Sequence, residues 1–261
     1  MDYYESREKR KKALIIILVI ILFLICATGV VYLVWNWYNN YMAQNIYNQL
    51  TQEYIVEQVE DDTASALAEN PIDFESLQKI NSDVYAWIKV PNTVIDYPIL
   101  QNEQDDYYLR RSIYKKYLLA GTIFSNNVNS KDFTDPVTLI YGHNMRDDTM
   151  FYMLHNFEDK EFFDKNEYFY IYTPGHKLTY RIVSALKYDN RRITTVYDFS
   201  QPSEIEDFHY SILNPKFELF NSRDIPLTTE SKIVTLSTCF ANQPAYRYLV
   251  NGVLISDEPT N

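Results

Sequence analysis

Lys232-Ile233-Val234-Thr235-Leu236-Ser237-Thr238-Cys239 is a β-rich run that ends on a thiol. A short loop, residues 240–245, leads into a second run, Tyr246-Arg247-Tyr248-Leu249-Val250-Asn251-Gly252-Val253-Leu254-Ile255. Two such runs joined so briefly read as paired strands. Upstream, residues 86–90, 94–99, 121–124, 137–141, 169–173 and 178–188 have the same character, punctuated by Pro, Asn and Asp, with a turn at Pro174-Gly175. Eight strands without alternating helices predict a mainly β chain, an antiparallel or mixed barrel rather than a βαβ sheet.

Between Tyr188 and Lys232 the connection is too long to be structureless in a compact domain. Ser203 and Glu206 have capping-box spacing, and Ile205, Phe208 and Ile212 fall on one helical face before Asn214-Pro215. A helix-bearing insertion is therefore expected just before the cysteine strand.

The N-terminus has a different composition. Residues 13–35 carry no charge and are rich in Ile, Leu and Val. As a helix they would span about 34 Å, enough for a hydrocarbon core of about 30 Å. Arg7, Lys9, Arg10, Lys11 and Lys12 precede the segment, and no Lys or Arg follows it until Lys79. That asymmetry predicts a cytoplasmic tail over 1–12, a transmembrane signal anchor over 13–35 and an exported remainder. A cleaved signal peptide fits less well, because the apolar run continues through Val30, Val31, Leu33 and Val34. In the polar stretch 36–72, Ile46, Leu50 and Tyr54 recur at helical spacing. This predicts a helical stalk, or a helix packed on the domain, ending at Pro71. A short helix over 74–80 then opens a catalytic domain of residues 73–258.

Without residues 1–12 the chain has 19 basic residues against 32 acidic ones. Such a balance argues against nucleic-acid binding, which needs a basic face. The chain holds two cysteines, and Cys26 lies in the apolar segment. Cys239 is thus a lone exported thiol with no structural disulfide to make. A thiol becomes a nucleophile when a base or a positive charge favours its thiolate. Of the four histidines, His155, His176 and His209 read as surface or packing residues. His143 follows the strand 137–141 and Gly142, where the backbone turns. Arg247 is placed to help a developing oxyanion if its strand pairs with that of Cys239, although an ordinary strand arginine facing solvent fits the same pattern.

Thr235-Leu236-Ser237-Thr238-Cys239 resembles the TLxTC signature of sortases, the membrane-anchored cysteine transpeptidases of Gram-positive bacteria. Ile140-Tyr141-Gly142-His143-Asn144-Met145 is similar to the sortase histidine motif, particularly in its class B form. The resemblance runs over about residues 74–256, including Ile95-Asp96-Tyr97-Pro98-Ile99-Leu100-Gln101 and Met150-Phe151. The long helix-bearing connection also resembles class B. The resemblance implies an eight-stranded sortase-type barrel and a catalytic trio of Cys239, His143 and Arg247. Substrate-binding roles for Ser237, Thr238 and Tyr141 are implied as well. It further implies cleavage of an Asn-Pro-x-Thr-x-like sorting signal at the Thr–X bond and transfer to a peptidoglycan amine, with no metal or organic cofactor. Three alternatives stay open: a pilin polymerase, a plain cysteine peptidase, and a non-catalytic surface protein on the same barrel.

Overall fold

A computed structural model of the protein describes residues 2–55, 70–145 and 147–261. The chain divides into two compact units, residues 1–42 and 43–261. The first consists of most of a long helix, α1 (Asp2–Tyr54), whose residues from Leu14 to Val34 are almost wholly apolar and, apart from the half-buried Ala27, exposed. Among the described residues this is one helix long and apolar enough to cross a membrane.

The second unit begins with the last turns of α1. Ala43, Tyr47 and Leu50 are buried, and Tyr54 continues their stripe. The Tyr47 hydroxyl donates to the Gly121 carbonyl, and its ring meets Tyr97 edge-on at 5.4 Å. From Ala43 to Tyr54 the segment is a helix packed on the domain, its buried stripe running through Tyr47 rather than the half-buried Ile46. The helix ends at Tyr54, and the expected continuation to Pro71 falls largely on residues outside those described.

Helix α2 (Phe74–Ile80) is capped by the Asp73 carboxylate, which accepts from the Ser76 amide, and it buries Phe74 and Leu77. Among the described residues nine strands follow: β1 (Val84–Lys89), β2 (Asp96–Leu100), β3 (Ile123–Ser125), β4 (Val137–Tyr141), β5 (Tyr168–Thr173), β6 (His176–Asp189), β7 (Phe220–Ser222), β8 (Ile233–Cys239) and β9 (Tyr246–Pro259). Their order is β5-β1-β2-β3-β4-β8-β9-β6-β7, and an additional β5–β6 pairing closes eight of them into a barrel. The mainly β fold is as expected from the eight strand-like runs. The ninth strand, β7, stands outside the ring as an edge on β6.

Most pairings are antiparallel, but β2–β3 and β4–β8 are parallel. The β5–β6 hairpin turns at Gly175, whose φ of +86° is reached at little cost only by glycine. Strand β8 is buried along its whole length except at Cys239. Its one fully internal polar side chain, Thr235, donates to Asn251 Oδ1 at 2.8 Å, and Asn251 Nδ2 donates to Ser184 Oγ at 3.1 Å. This relay satisfies polar atoms across three adjacent strands, which removes the penalty of burying them.

The insertion between β6 and β8 holds a short helix α4 (Ile193–Val196) and α5 (Pro202–Leu213), following the earlier α3 (Lys160–Lys165). Phe208 and Ile212 of α5 pack with Leu186, Ile193 and Leu249. The expected capping box does not form. Pro202 occupies the first helical turn, where its missing N–H costs nothing, and so the helix starts before Ser203. Gln201 takes the N-cap position without a side-chain bond.

Candidate active site

Strands β4 and β8 run parallel, with Tyr141 opposite Ser237, and both chains leave the barrel at the same end. Two bonds tie these ends together. The Gly142 amide donates to the Ser237 carbonyl at 3.1 Å, and Thr238 Oγ1 donates to the Gly142 carbonyl at 2.9 Å. A Cβ at position 142 would lie 2.5 Å from Ile123 Cδ1 and 2.6 Å from Phe151 Cγ. Only glycine admits the close approach that puts His143 at the end of the cysteine strand.

The His143 ring is fixed by its Nε2, 2.7 Å from the Leu109 carbonyl. A carbonyl oxygen only accepts, so the proton sits on Nε2 and Nδ1 is left as the free basic position. Burial holds the His143 pKa below its ordinary value. The Leu109 carbonyl opposes that shift, and the nearby Arg110 charge adds to it. That direction favours the neutral imidazole.

Cys239 is exposed, whereas the six residues before it in β8 are buried. Arg247 of β9 sits directly across the antiparallel ladder from it. The guanidinium donates to the carbonyls of Tyr246 and Pro244, at 3.0 and 3.3 Å. No carboxylate pairs with it among the described residues.

Cys239, His143 and Arg247 line one open cavity of about 250 Å³, together with Tyr141, Ser237 and Thr238. All six residues singled out in the sequence are thus brought to one place. Ser237 and Thr238 are nearly fully buried, and the Thr238 hydroxyl is already committed to Gly142. Tyr141 stands against Phe124, with ring centroids 5.5 Å apart.

Other residues at the site were not evident from the sequence. Arg192 reaches Asp105 and Asp106 at 3.0 and 3.2 Å, and Arg191 pairs with Asp189 at 2.7 Å. Both arginines line the cavity with their charge balanced, which sets Arg247 apart. The loop between Cys239 and Arg247 is pinned by Lys187. Its Nζ lies 4.0 Å from the Tyr246 ring centroid and 4.9 Å from that of Phe240, and it donates to Gln243 Oε1 at 2.7 Å. Such long-range pairs leave no local signature. The Asn144 signal was present beside His143: Asn144 Nδ2 donates to the Cys239 carbonyl at 2.8 Å.

A closed mixed barrel with a thiol, an imidazole and an unpaired guanidinium at one strand end is the architecture of a cysteine acyl-transfer enzyme. Comparison with known proteins makes the class specific. Residues 88–255 match the sortase domain family. The chain is 32% identical over 186 residues to sortase B of Listeria monocytogenes, a match covering 70% of this chain and 74% of that one. It resembles the X-ray structure of Clostridium perfringens sortase B with a TM-score of 0.64 and 31% identity, over 70% of this chain and 99% of that one. A Streptococcus pyogenes class B sortase involved in pilus biogenesis matches with a TM-score of 0.60 and 34% identity, over 70% and 98% of the two chains. The protein belongs to the sortase family of cysteine transpeptidases, and its relatives are of class B.

Proposed function

We propose that this sortase cleaves the sorting signal of a surface protein at a Thr–X bond and transfers the protein to a peptidoglycan amine. The observation that carries this reading is the meeting of Cys239, His143 and Arg247 in one cavity, with the thiol exposed at the end of an otherwise buried strand. The Cys239 thiol gives its proton to Nδ1 of His143 and attacks the threonine carbonyl carbon. The tetrahedral oxyanion is held by Arg247. As the C–N bond breaks, His143 returns the proton to the leaving amine, and a thioester to Cys239 remains. An incoming amine then loses a proton to His143, attacks the thioester and releases the thiol. Tyr141, Ser237 and Thr238 shape the groove for the signal, whose preferred form is Asn-Pro-x-Thr-x. The trio needs no cofactor for these steps.

The apolar stretch 13–35 of α1 anchors the enzyme in the cell membrane in this reading. Residues 1–12 remain cytoplasmic, 36–72 form the juxtamembrane segment, and the catalytic domain of 73–258 is extracellular. The five basic residues before the span and the cation-free stretch after it support this orientation.

A second acceptor is favoured by one specific observation, the likeness to a Streptococcus pyogenes sortase involved in pilus biogenesis. A lysine side chain of a pilin would then take the place of the wall amine. The test is to incubate the enzyme with a panel of Asn-Pro-x-Thr-x peptides and, separately, with a glycine peptide, a lysine peptide or water alone. Mass spectrometry reads both cleavage and ligation. The proposal expects cleavage after threonine and ligation to the glycine peptide. Preference for the lysine amine would establish the pilin reading, hydrolysis alone would establish a peptidase, and no cleavage of any peptide would overturn the proposal.

A further inference from the structure

His155 occupies a 3-10 turn (Tyr152–Glu158) and, unlike His143, does not line the cavity. Its Nε2 lies 3.1 Å from the Cys239 carbonyl oxygen and 3.0 Å from Asn144 Nδ2. On the far side of the ring, Nδ1 is 2.5 Å from Glu158 Oε1. The ring stacks on Tyr248 at 4.8 Å and meets Phe240 edge-on at 5.3 Å. Phe240 is the residue after Cys239, and Tyr248 faces Thr238 across the β8–β9 ladder. One imidazole thus touches the carbonyl of Cys239, the side chain that follows it and the strand opposite. Every ring nitrogen has a partner, and only 18% of the side chain is exposed.

The carbonyl of Cys239 needs this attention for a physical reason. The ladder of β8 ends at Cys239, and beyond it the Phe240 amide reaches only the Tyr246 carbonyl, at 3.3 Å. A strand end with so few lateral bonds frays, and fraying would turn the thiol away from the cavity. Nδ1 of His155 donates to Glu158, which leaves Nε2 as an acceptor for Asn144 Nδ2, and the same amide nitrogen donates to the Cys239 carbonyl; His155 thus holds the Asn144 amide that bonds the carbonyl at that point.

We propose that His155, held by Glu158, is a positioning residue that locks the Cys239 peptide group and so the direction of its thiol. This rests on the reading of Cys239 as the nucleophile. His155 itself is absent from the residues lining the cavity, so its action is through Cys239.

The test uses the full chain in detergent with three variants. His155→Phe keeps a ring for stacking but loses both nitrogens. His155→Gln places an amide oxygen near the Nε2 position, where it can accept from Asn144. Glu158→Gln loosens the ring without removing it, and it serves if His155→Phe proves poorly folded. With an Asn-Pro-x-Thr-x peptide as probe, His155→Phe is expected to lower kcat about tenfold, the equivalent of about one hydrogen bond, with KM unchanged. His155→Gln should recover most of that loss, and Glu158→Gln should fall between them. Hydrogen exchange at the Phe240 amide, which needs no substrate, should quicken in His155→Phe while the melting temperature holds. Wild-type kcat in His155→Phe, unchanged exchange at Phe240, or a His155→Gln variant no better than His155→Phe would each overturn the inference. Turnover retained in Cys239→Ala would instead overturn the functional reading, and the exchange measurement would still decide whether His155 holds the strand end.

Discussion

The two sides of Cys239 are built on different plans. On the cavity side, His143 has one nitrogen fixed by the Leu109 carbonyl and the other free, and Arg247 has no carboxylate partner among the described residues. On the packed side, both nitrogens of His155 are engaged, Nδ1 donating to Glu158 and Nε2 accepting from Asn144, whose Nδ2 also donates to the Cys239 carbonyl. Unspent bonding capacity faces the cavity, and spent capacity lies behind the thiol. Reacting groups need a vacant lone pair or donor, whereas groups that hold geometry need theirs filled. Two histidines beside one cysteine are therefore not interchangeable, and the difference lies in their partners rather than in the residue type.

The sharpest way to break this contrast is to remove the free imidazole. His143→Ala is expected to lower turnover by about 10²–10⁴-fold, the usual worth of a positioned acid–base group, far more than any change at His155. Equal losses at the two positions would erase the distinction. Arg247→Ala should cost about 10²–10³-fold in kcat, as expected for losing an oxyanion donor, and kinetics with a cleaved peptide would measure it. A loss confined to KM would make Arg247 a binding group only.

Gly142 is the seam between β4 and β8, and there the expected effect is on stability. Gly142→Ala forces a methyl against Ile123 and Phe151, an overpacking worth about 1–3 kcal/mol, which thermal unfolding would detect. The smallest effect is expected at His209, a histidine remote from the cavity. It is buried in α5, its Nε2 has no partner, and burial lowers its pKa. The unfolded chain therefore takes up a proton that the folded one resists, and stability falls as pH drops below the ordinary histidine value of about 6.5. His209→Phe should flatten the decline in melting temperature between pH 7 and 5 without altering turnover. An unchanged slope would show that His209 does not carry the acid sensitivity.

The barrel was legible because it depends on local pattern, and the meeting of Cys239, His143 and Arg247 in one cavity was expected from the family resemblance more than from local pattern. Ile233, Val234 and Leu236 mark a strand buried on both faces, and Gly142 marks a tight turn before His143. The cysteine and histidine motifs then supplied the family, which the comparisons show. What remained hidden depends on distant residues. His155 reads as one polar residue in a helix-like Phe/Met/Leu segment, and only the fold carries it to Cys239, 84 positions away. Lys187 offers no sign that it will sit among Tyr246, Phe240 and Phe217. Strand β7 is three residues long, too short to show an alternation. The Ser203–Glu206 spacing misled because Pro202, one residue earlier, is the better helix opener.

In the proposed reaction Cys239 carries the acyl group and His143 serves it from the cavity. Intact-mass measurement of the enzyme mixed with an Asn-Pro-x-Thr-x peptide, without added amine, tests this most directly. A transient adduct equal in mass to the peptide through its threonine is expected, located on Cys239 and discharged by an amine. The adduct should be absent in Cys239→Ala. Cleavage of the peptide by Cys239→Ala, or an adduct on any other residue, would contradict it.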